Sequence, residues 1–347
     1  MSFLKSLFGK TPAQTVTVQP SGLELTVEPG ETILEQALIK NIPYPHECTV
    51  GTCGSCRTKL LSGKVDAITP FGYTLSKEEL EAGYILACQS LPKSELTIEI
   101  DLQEEGDGLV ATPARIASTT KLTHDIMKVE WETDLPMGYR AGQYVNIRWN
   151  AEQIHRSYSF AKAPEKSGQT LLATFIRHVP GGAFTDLLFS GEAKSLDYEL
   201  DGPHGQFWLR PGKGPILCIA GGSGLAPIIS LLSDAASKRA RRDTVLLFGA
   251  RAKRDLYGEA EISAIKNAWT AGFDFWPVLS ETPEDNLRAG LVTEHIGPAL
   301  ERLGPDTQAY LCGPPPMIDA AMEELVRQGI PLDAIFYDKF TDASMAQ

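Results

Sequence analysis

Cys48-Thr-Val-Gly-Thr-Cys53-Gly-Ser-Cys56 places three of the chain's six cysteines within nine residues. Glycines 51 and 54 lie between them, where the backbone must fold tightly around whatever the thiols hold. A fourth cysteine follows at Cys88. Three chemistries use thiols spaced this closely. Zinc sites combine paired Cys-x2-Cys knuckles or histidines, and only one such pair exists here. A thioredoxin-like dithiol explains Cys53 and Cys56 but leaves Cys48 without a role. Cys-x4-Cys-x2-Cys followed by a distant cysteine is the spacing of plant-type [2Fe–2S] ligation. Cys48, Cys53, Cys56 and Cys88 are therefore the expected metal ligands, with zinc as the competing reading.

The rest of the chain sets the context. Its 347 residues, 43% hydrophobic and 22% charged, suit two or three globular domains. A net charge of −12 supplies no basic stripe and excludes nucleic acid as the expected partner. No apolar run reaches the ~18–20 residues that span a bilayer, so no transmembrane segment is expected. Phe3, Leu4, Leu7 and Phe8 share one helical face, but residues 1–13 read as a flexible tail rather than an anchor. Without an export signal the expected compartment is the cytoplasm, where thiols stay reduced and clustered cysteines favour a metal over disulfides.

Two breaker clusters divide the chain. Gln103-Glu-Glu-Gly-Asp-Gly108 is acidic and glycine-rich, and Leu209-Arg-Pro-Gly-Lys-Gly-Pro215 is the second. The expected organisation is 1–103, a linker at 104–109, 110–209 and 210–347. In the first block, Thr15–Gln19 and Leu23–Val27 alternate as a hairpin. Thr32 then caps a helix carrying Ile33, Leu34, Ala37 and Leu38. The second block holds short alternating strands separated by turns, the pattern of an antiparallel barrel or sandwich. In the third the period changes. Ile216–Ala220 is a continuous apolar run and reads as a buried strand. A glycine turn, a helix over Ala226–Ala236 and a second buried strand, Thr244–Phe248, follow it. That alternation predicts a parallel α/β sheet.

Three further motifs sit on these elements. Arg156-Ser-Tyr158-Ser159 follows a strand and puts a phosphate-binding cation and an aromatic ring on one face. His178-Val-Pro-Gly181-Gly182-Ala-Phe-Thr185 leads a glycine turn into a helix, and helix N-termini attract phosphate. Gly221-Gly222-Ser223-Gly224-Leu-Ala-Pro227 joins a buried strand to a helix, where a dinucleotide pyrophosphate binds in open α/β sheets. It lacks the G-x-G-x-x-G fingerprint. Cys312-Gly313-Pro314 ends a later strand at the same sheet edge. Cys218, inside a strand, reads as an inert buried thiol.

The first block resembles plant-type ferredoxin domains over roughly residues 15–102, including Tyr44-Pro-His-Glu and Leu86-Ala-Cys88-Gln89. Thr49 departs from it, because many relatives carry arginine after the first ligand. The whole chain resembles the ferredoxin–NADP reductase superfamily, in the order found in reductase components of bacterial multicomponent oxygenases. The resemblance implies a multidomain α+β and α/β protein: a β-grasp ferredoxin domain, an antiparallel β-barrel flavin domain and a parallel-sheet nicotinamide-binding domain. It implies that Arg156 contacts the FAD pyrophosphate, Tyr158 packs on the ring system and Ser159 lies near flavin N5, with Gly182 and Thr185 supporting the pyrophosphate. Gly221, Gly222, Ser223, Gly224 and Pro227, with Gly313 and Pro314, line the nicotinamide-nucleotide site, and Cys312 sits beside the nicotinamide. Phe340 shields the flavin. Asp338 stands where the family usually has glutamate.

The implied function is electron transfer from NADH through FAD to [2Fe–2S], and then to a terminal oxygenase or an intermediate ferredoxin. NADH is expected over NADPH because Asp255 follows the second strand of the last block, near where an adenosine ribose binds. Arg251, Lys253 and Arg254 argue the other way. The competing readings are the same electron chain serving a deoxysugar-forming enzyme, and a zinc-stabilised binding module without redox chemistry.

Overall fold

A computed structural model describes residues 12–40, 42–46, 49–52, 54–102, 109–149 and 155–340. Cys48, Cys53, residues 1–10 and residues 103–108, all singled out above, lie outside the described residues. The chain divides into two compact units, Met1–Gly106 and Asp107–Gln347.

The first unit is built on a mixed five-stranded sheet. Its spatial order is Leu23–Val27, Gln14–Gln19, Leu96–Glu99, Arg57–Ser62 and Tyr84–Leu86. Gln14–Gln19 pairs antiparallel with Leu23–Val27 and parallel with Leu96–Glu99. Alternation does what the sequence predicts: Val16, Val18, Leu25, Val27, Leu96 and Ile98 point into one core. The helix Ile33–Ile39 lies against that core through Ile33, Leu34 and Ala37. Thr32 and Glu35 close a capping box at its start, with Thr32 Oγ1 accepting from the Glu35 N–H at 3.1 Å. A short helix, Lys77–Glu81, was not anticipated, although Ser76-x-x-Glu79 is the capping-box signature that announces it.

The second unit carries two six-stranded sheets. The antiparallel one runs Arg156–Ser159, Tyr144–Trp149, Tyr198–His204, Val110–Lys121, Ile126–Met137 and Gln169–Arg177. A bridge between Phe160 and Thr174 links its first strand to its last and closes a barrel. Trp131 is fully buried inside and donates from Nε1 to Thr174 Oγ1 at 3.0 Å. The parallel sheet has the order Arg288–Ala289, Phe273–Leu279, Thr244–Ala250, Ile216–Gly221, Gln308–Gly313 and Ile335–Lys339. Both its faces are covered, which explains the unbroken apolar run of Ile216–Ala220. Cys218 and Ala220 meet the helix Leu225–Ser237 on one side. Leu217 and Ile219 meet the helices Ile296–Leu303 and Pro315–Arg327 on the other. The strand order reverses between Ile216–Gly221 and Gln308–Gly313, and ligands of open α/β sheets bind in the crevice such a reversal opens. Ile126 and Phe175 of the barrel share a core with Ile216 and Phe248 of the parallel sheet, so the crevice has a wall from each sheet.

Candidate functional site

Two of the four expected ligands are described. Cys56 ends the glycine loop just before the strand Arg57–Ser62, and Cys88 sits in a 3-10 turn, Ala87–Gln89, after Tyr84–Leu86. Those two strands pair antiparallel, which brings the cysteines together: the Cys88 N–H points at Cys56 Sγ, 3.5 Å away. Both side chains are buried. Gln89, quoted above in the ferredoxin resemblance but given no role there, organises the loop. Its Nε2 donates to the carbonyl of Thr49 at 3.2 Å and lies 3.7 Å from Cys88 Sγ, while its Oε1 accepts from Thr69 at 2.9 Å. Gly51 adopts φ +82°, and a Cβ there would stand 2.7 Å from Gln89 Cγ. N–H donors aimed at buried sulfurs suit a thiolate-held anionic cluster.

In the barrel, Arg156 and Tyr158 lie partly buried on the same face of their strand, and Ser159 is buried. Ser159 pairs in register with Tyr144. Desolvation pushes the Tyr158 hydroxyl up, so the ring stays neutral. Its centroid lies 6.0 Å from that of Phe184, in the first turn of the helix Ala183–Ser190. The two sequence motifs therefore meet. Gly182 is the N-cap and supplies no side-chain capping bond. Thr185 folds back instead, donating from Oγ1 to the Val179 carbonyl at 2.9 Å and fixing the turn. Arg156 has no carboxylate partner among the described residues. A cation and a helix start without a side-chain cap, joined by an aromatic pair, fit a flavin pyrophosphate and ring system.

At the strand-order reversal, Gly222–Gly224 forms a 3-10 turn and Gly224 caps the helix Leu225–Ser237, with Pro227 in its first turn. The turn lies against Cys312-Gly313-Pro314 backbone to backbone. A Cβ on Gly224 would sit 2.2 Å from the Cys312 carbonyl oxygen. The glycines thus serve close approach, which the standard fingerprint achieves at other positions. Tyr257, also unforeseen, donates from its hydroxyl to the Gly222 carbonyl at 2.8 Å. Burial and the charge of Asp338 push the Cys312 thiol well up, so it is neutral at physiological pH. Phe340 follows the last strand, is partly buried, and its N–H reaches the Gly313 carbonyl at 2.8 Å.

A cavity of about 260 Å³ opens beside this turn. Gly221, Gly222, Pro314, Phe248, Arg251 and Asp255 line it from the parallel sheet, and Asp125 and Arg177 from the barrel. Asp255 Oδ2 accepts from the Ala252 N–H at 3.0 Å. Its Oδ1 is buried with no hydrogen-bond partner among the described residues, although His124 Nδ1 lies 3.5 Å away. An orphaned carboxylate oxygen in an α/β switch-point cavity fits a ribose hydroxyl. Asp125 and Arg177 come from hairpin and strand ends whose sequence carries no motif.

Three family models match the chain. They are the 2Fe-2S iron-sulfur cluster binding domain over 16–93, the oxidoreductase FAD-binding domain over 113–208 and the oxidoreductase NAD-binding domain over 218–323. The first selects the iron–sulfur reading over zinc. The chain is 40% identical to the xylene/toluene monooxygenase electron transfer component of Pseudomonas putida, over 97% of this chain and 96% of that one. It is 34% identical to the reductase subunit of an aromatic O-demethylase from Amycolatopsis, covering 95% and 100%. The crystal structure of an Amycolatopsis cytochrome P450 reductase superposes with a TM-score of 0.72 at 33% identity, covering 95% of this chain and 99% of that one.

Proposed function

This chain belongs to the family of iron–sulfur flavoprotein reductase components of bacterial multicomponent oxygenases. On that premise we propose that it takes electrons from NADH and delivers them singly to an oxygenase component or to an intermediate ferredoxin. The observation that carries this reading is the glycine turn packed on Cys312-Gly313-Pro314 at the sheet reversal, opening onto a cavity that the flavin barrel walls. The relatives named above include the electron transfer component of a xylene/toluene monooxygenase and the reductase subunit of an aromatic O-demethylase, and we assign this chain an oxygenase partner that acts on an aromatic or hydrocarbon substrate. Its compartment is the cytoplasm, which holds the reduced nicotinamide donor.

Bound FAD supplies the exchange between two-electron hydride chemistry and the one-electron chemistry of a [2Fe–2S] cluster. The chain's own groups do the rest. Arg156 and the helix start at Gly182 would hold the flavin pyrophosphate, with Thr185 supporting that turn, and Tyr158 would present a neutral ring to the flavin, with Ser159 near its N5. Gly221, Gly222, Ser223, Gly224 and Pro227 receive the dinucleotide pyrophosphate at the helix start. Gly313 and Pro314 shape the opposite wall, and Cys312 keeps an uncharged thiol in that wall. Asp255 would accept from the adenosine ribose, and Phe340 would shield the flavin. Cys48, Cys53, Cys56 and Cys88 hold the cluster in the segment 1–103, joined through 104–109 to the flavin block 110–209 and the nucleotide block 210–347.

Replacing Cys88 with serine tests the route. The variant should keep ferricyanide reduction by NADH and lose cytochrome c reduction. Cytochrome c reduction at the original rate by a variant lacking its cluster would overturn it.

A further inference from the structure

The cavity beside the glycine turn contains an ion network that crosses from barrel to parallel sheet. Asp125, at the hairpin between Val110–Lys121 and Ile126–Met137, is its centre. Asp125 Oδ2 lies 3.2 Å from Arg177 Nε and 3.5 Å from Arg251 Nη2. Oδ1 accepts from Thr123 Oγ1 at 2.9 Å, which fixes the carboxylate's orientation. Burial opposes ionisation of Asp125, but the Thr123 hydroxyl, Arg177, His124 and Arg251 together hold its carboxyl below the usual range. Arg251 also faces Asp255, with Nε 3.7 Å from Oδ2.

The two arginines occupy different ends of the cavity. Arg177 Nη1 comes within 3.6 Å of the space beside Gly222, where the pyrophosphate belongs. Arg251 directly follows the second strand, Thr244–Ala250, where the adenosine ribose belongs. A guanidinium at that position is the usual means of accepting a 2′-phosphate. Here both its neighbours are carboxylates. The other local cations are engaged too: Lys253 lies 3.3 Å from Glu284, and Arg254 lies 4.0 Å from Asp255. Asp125 and Asp255 offset the charges of Arg177 and Arg251, so the guanidinium nearest the ribose already faces two carboxylates, while Arg254, which shares Asp255, lies at the exposed edge.

We propose that Asp125, contributed by the flavin barrel, is a positioning residue that sets coenzyme choice by holding Arg251 away from a 2′-phosphate. This rests on the NADH reading above and adds a residue from the other wall of the site. Removing the Asp125 charge releases Arg251 on one side and leaves the cavity positive. The 2′-phosphate then gains a partner that NADH cannot use.

The test is calorimetric binding of NAD+, NADP+ and 2′,5′-ADP to the holoenzyme, beside kcat/KM for each reduced donor. In Asp125→Asn the ratio of NADP+ to NAD+ affinity should rise about tenfold or more, and 2′,5′-ADP should tighten with it. Asp125→Glu should keep the original ratio. Adding Arg251→Ala to Asp125→Asn should abolish the gain. A merely structural role would weaken both coenzymes together and leave the ratio unmoved. An unchanged ratio, or a gain that survives Arg251→Ala, overturns the proposal. If Asp125→Asn does not fold, Arg251→Ala alone decides: the engaged arginine should leave the ratio within about threefold, and a tenfold loss of NADP+ affinity would show it was already available. A preference for NADPH in the unaltered chain would overturn the NADH reading itself, a result distinct from these.

Discussion

Replacing Gly224 with alanine should damage the nucleotide site more than its single methyl suggests. The added Cβ would stand 2.2 Å from the Cys312 carbonyl oxygen, 2.5 Å from its carbon and 2.8 Å from the Gly313 nitrogen. All three are backbone atoms of a central strand and its exit turn, so no side chain can rotate away. Ordinary contact requires the helix Leu225–Ser237 to retreat by roughly 1 Å from a close-packed neighbour. Overpacking of this kind costs about 1–3 kcal/mol. In a unit of this size, each kcal/mol lowers the melting temperature by about 2–4 °C. The functional loss should be larger, because the same retreat widens the crevice that orients the nicotinamide, and a misplacement of about 1 Å can cost ~10²-fold in rate. The assays are flavin-monitored thermal unfolding and kcat/KM for NADH with ferricyanide. Gly138→Ala, whose Cβ meets nothing within 4 Å, is the control and should be near neutral. A Gly224→Ala protein that melts and turns over like the unaltered chain would refute the close approach.

Gln89→Leu removes an N–H donor near Cys88 Sγ, which favours the more negative, reduced cluster, so the midpoint potential should fall by roughly 40 mV, the one-electron equivalent of ~1 kcal/mol, measured by spectroelectrochemistry. Cys218 and Cys312, buried with thiols pushed up, should resist iodoacetamide in the folded protein at pH 8 and react once it is unfolded, as read by mass spectrometry. Asp125 has a folded pKa below its unfolded one, so its stabilisation is complete above the ordinary carboxylate pKa and is lost as pH falls through the folded value. The stability difference between the unaltered chain and Asp125→Asn should therefore shrink as pH falls from 5 towards 3 in urea titrations.

Much of this site can be read from the sequence because its chemistry is local. The cysteine spacing names its own cluster, and the change from alternating to continuous apolar runs at Ile216 marks where a half-exposed barrel gives way to a sheet covered on both faces. The glycine turn is legible by position even though it breaks the usual fingerprint. What stays hidden is non-local. Asp125 meets Arg251 only because a barrel hairpin folds against the end of a parallel strand, and no periodicity records that meeting. Tyr257 and Gln89 act through side-chain hydrogen bonds to groups distant in sequence. Each of Arg251, Lys253 and Arg254 has a carboxylate within 4.0 Å, a set of pairings that charge counting along the chain does not reveal.

The central claim is that electrons from NADH reach the cluster only by way of the flavin. Anaerobic rapid mixing of the reconstituted protein with NADH, followed by absorption and by electron paramagnetic resonance of frozen samples, tests it most directly. Flavin bleaching should come first, and the reduced-cluster signal should grow afterwards. Protein loaded with cluster but stripped of FAD should show no cluster reduction on the same timescale. Cluster reduction by NADH at an undiminished rate in the FAD-stripped protein would contradict the account.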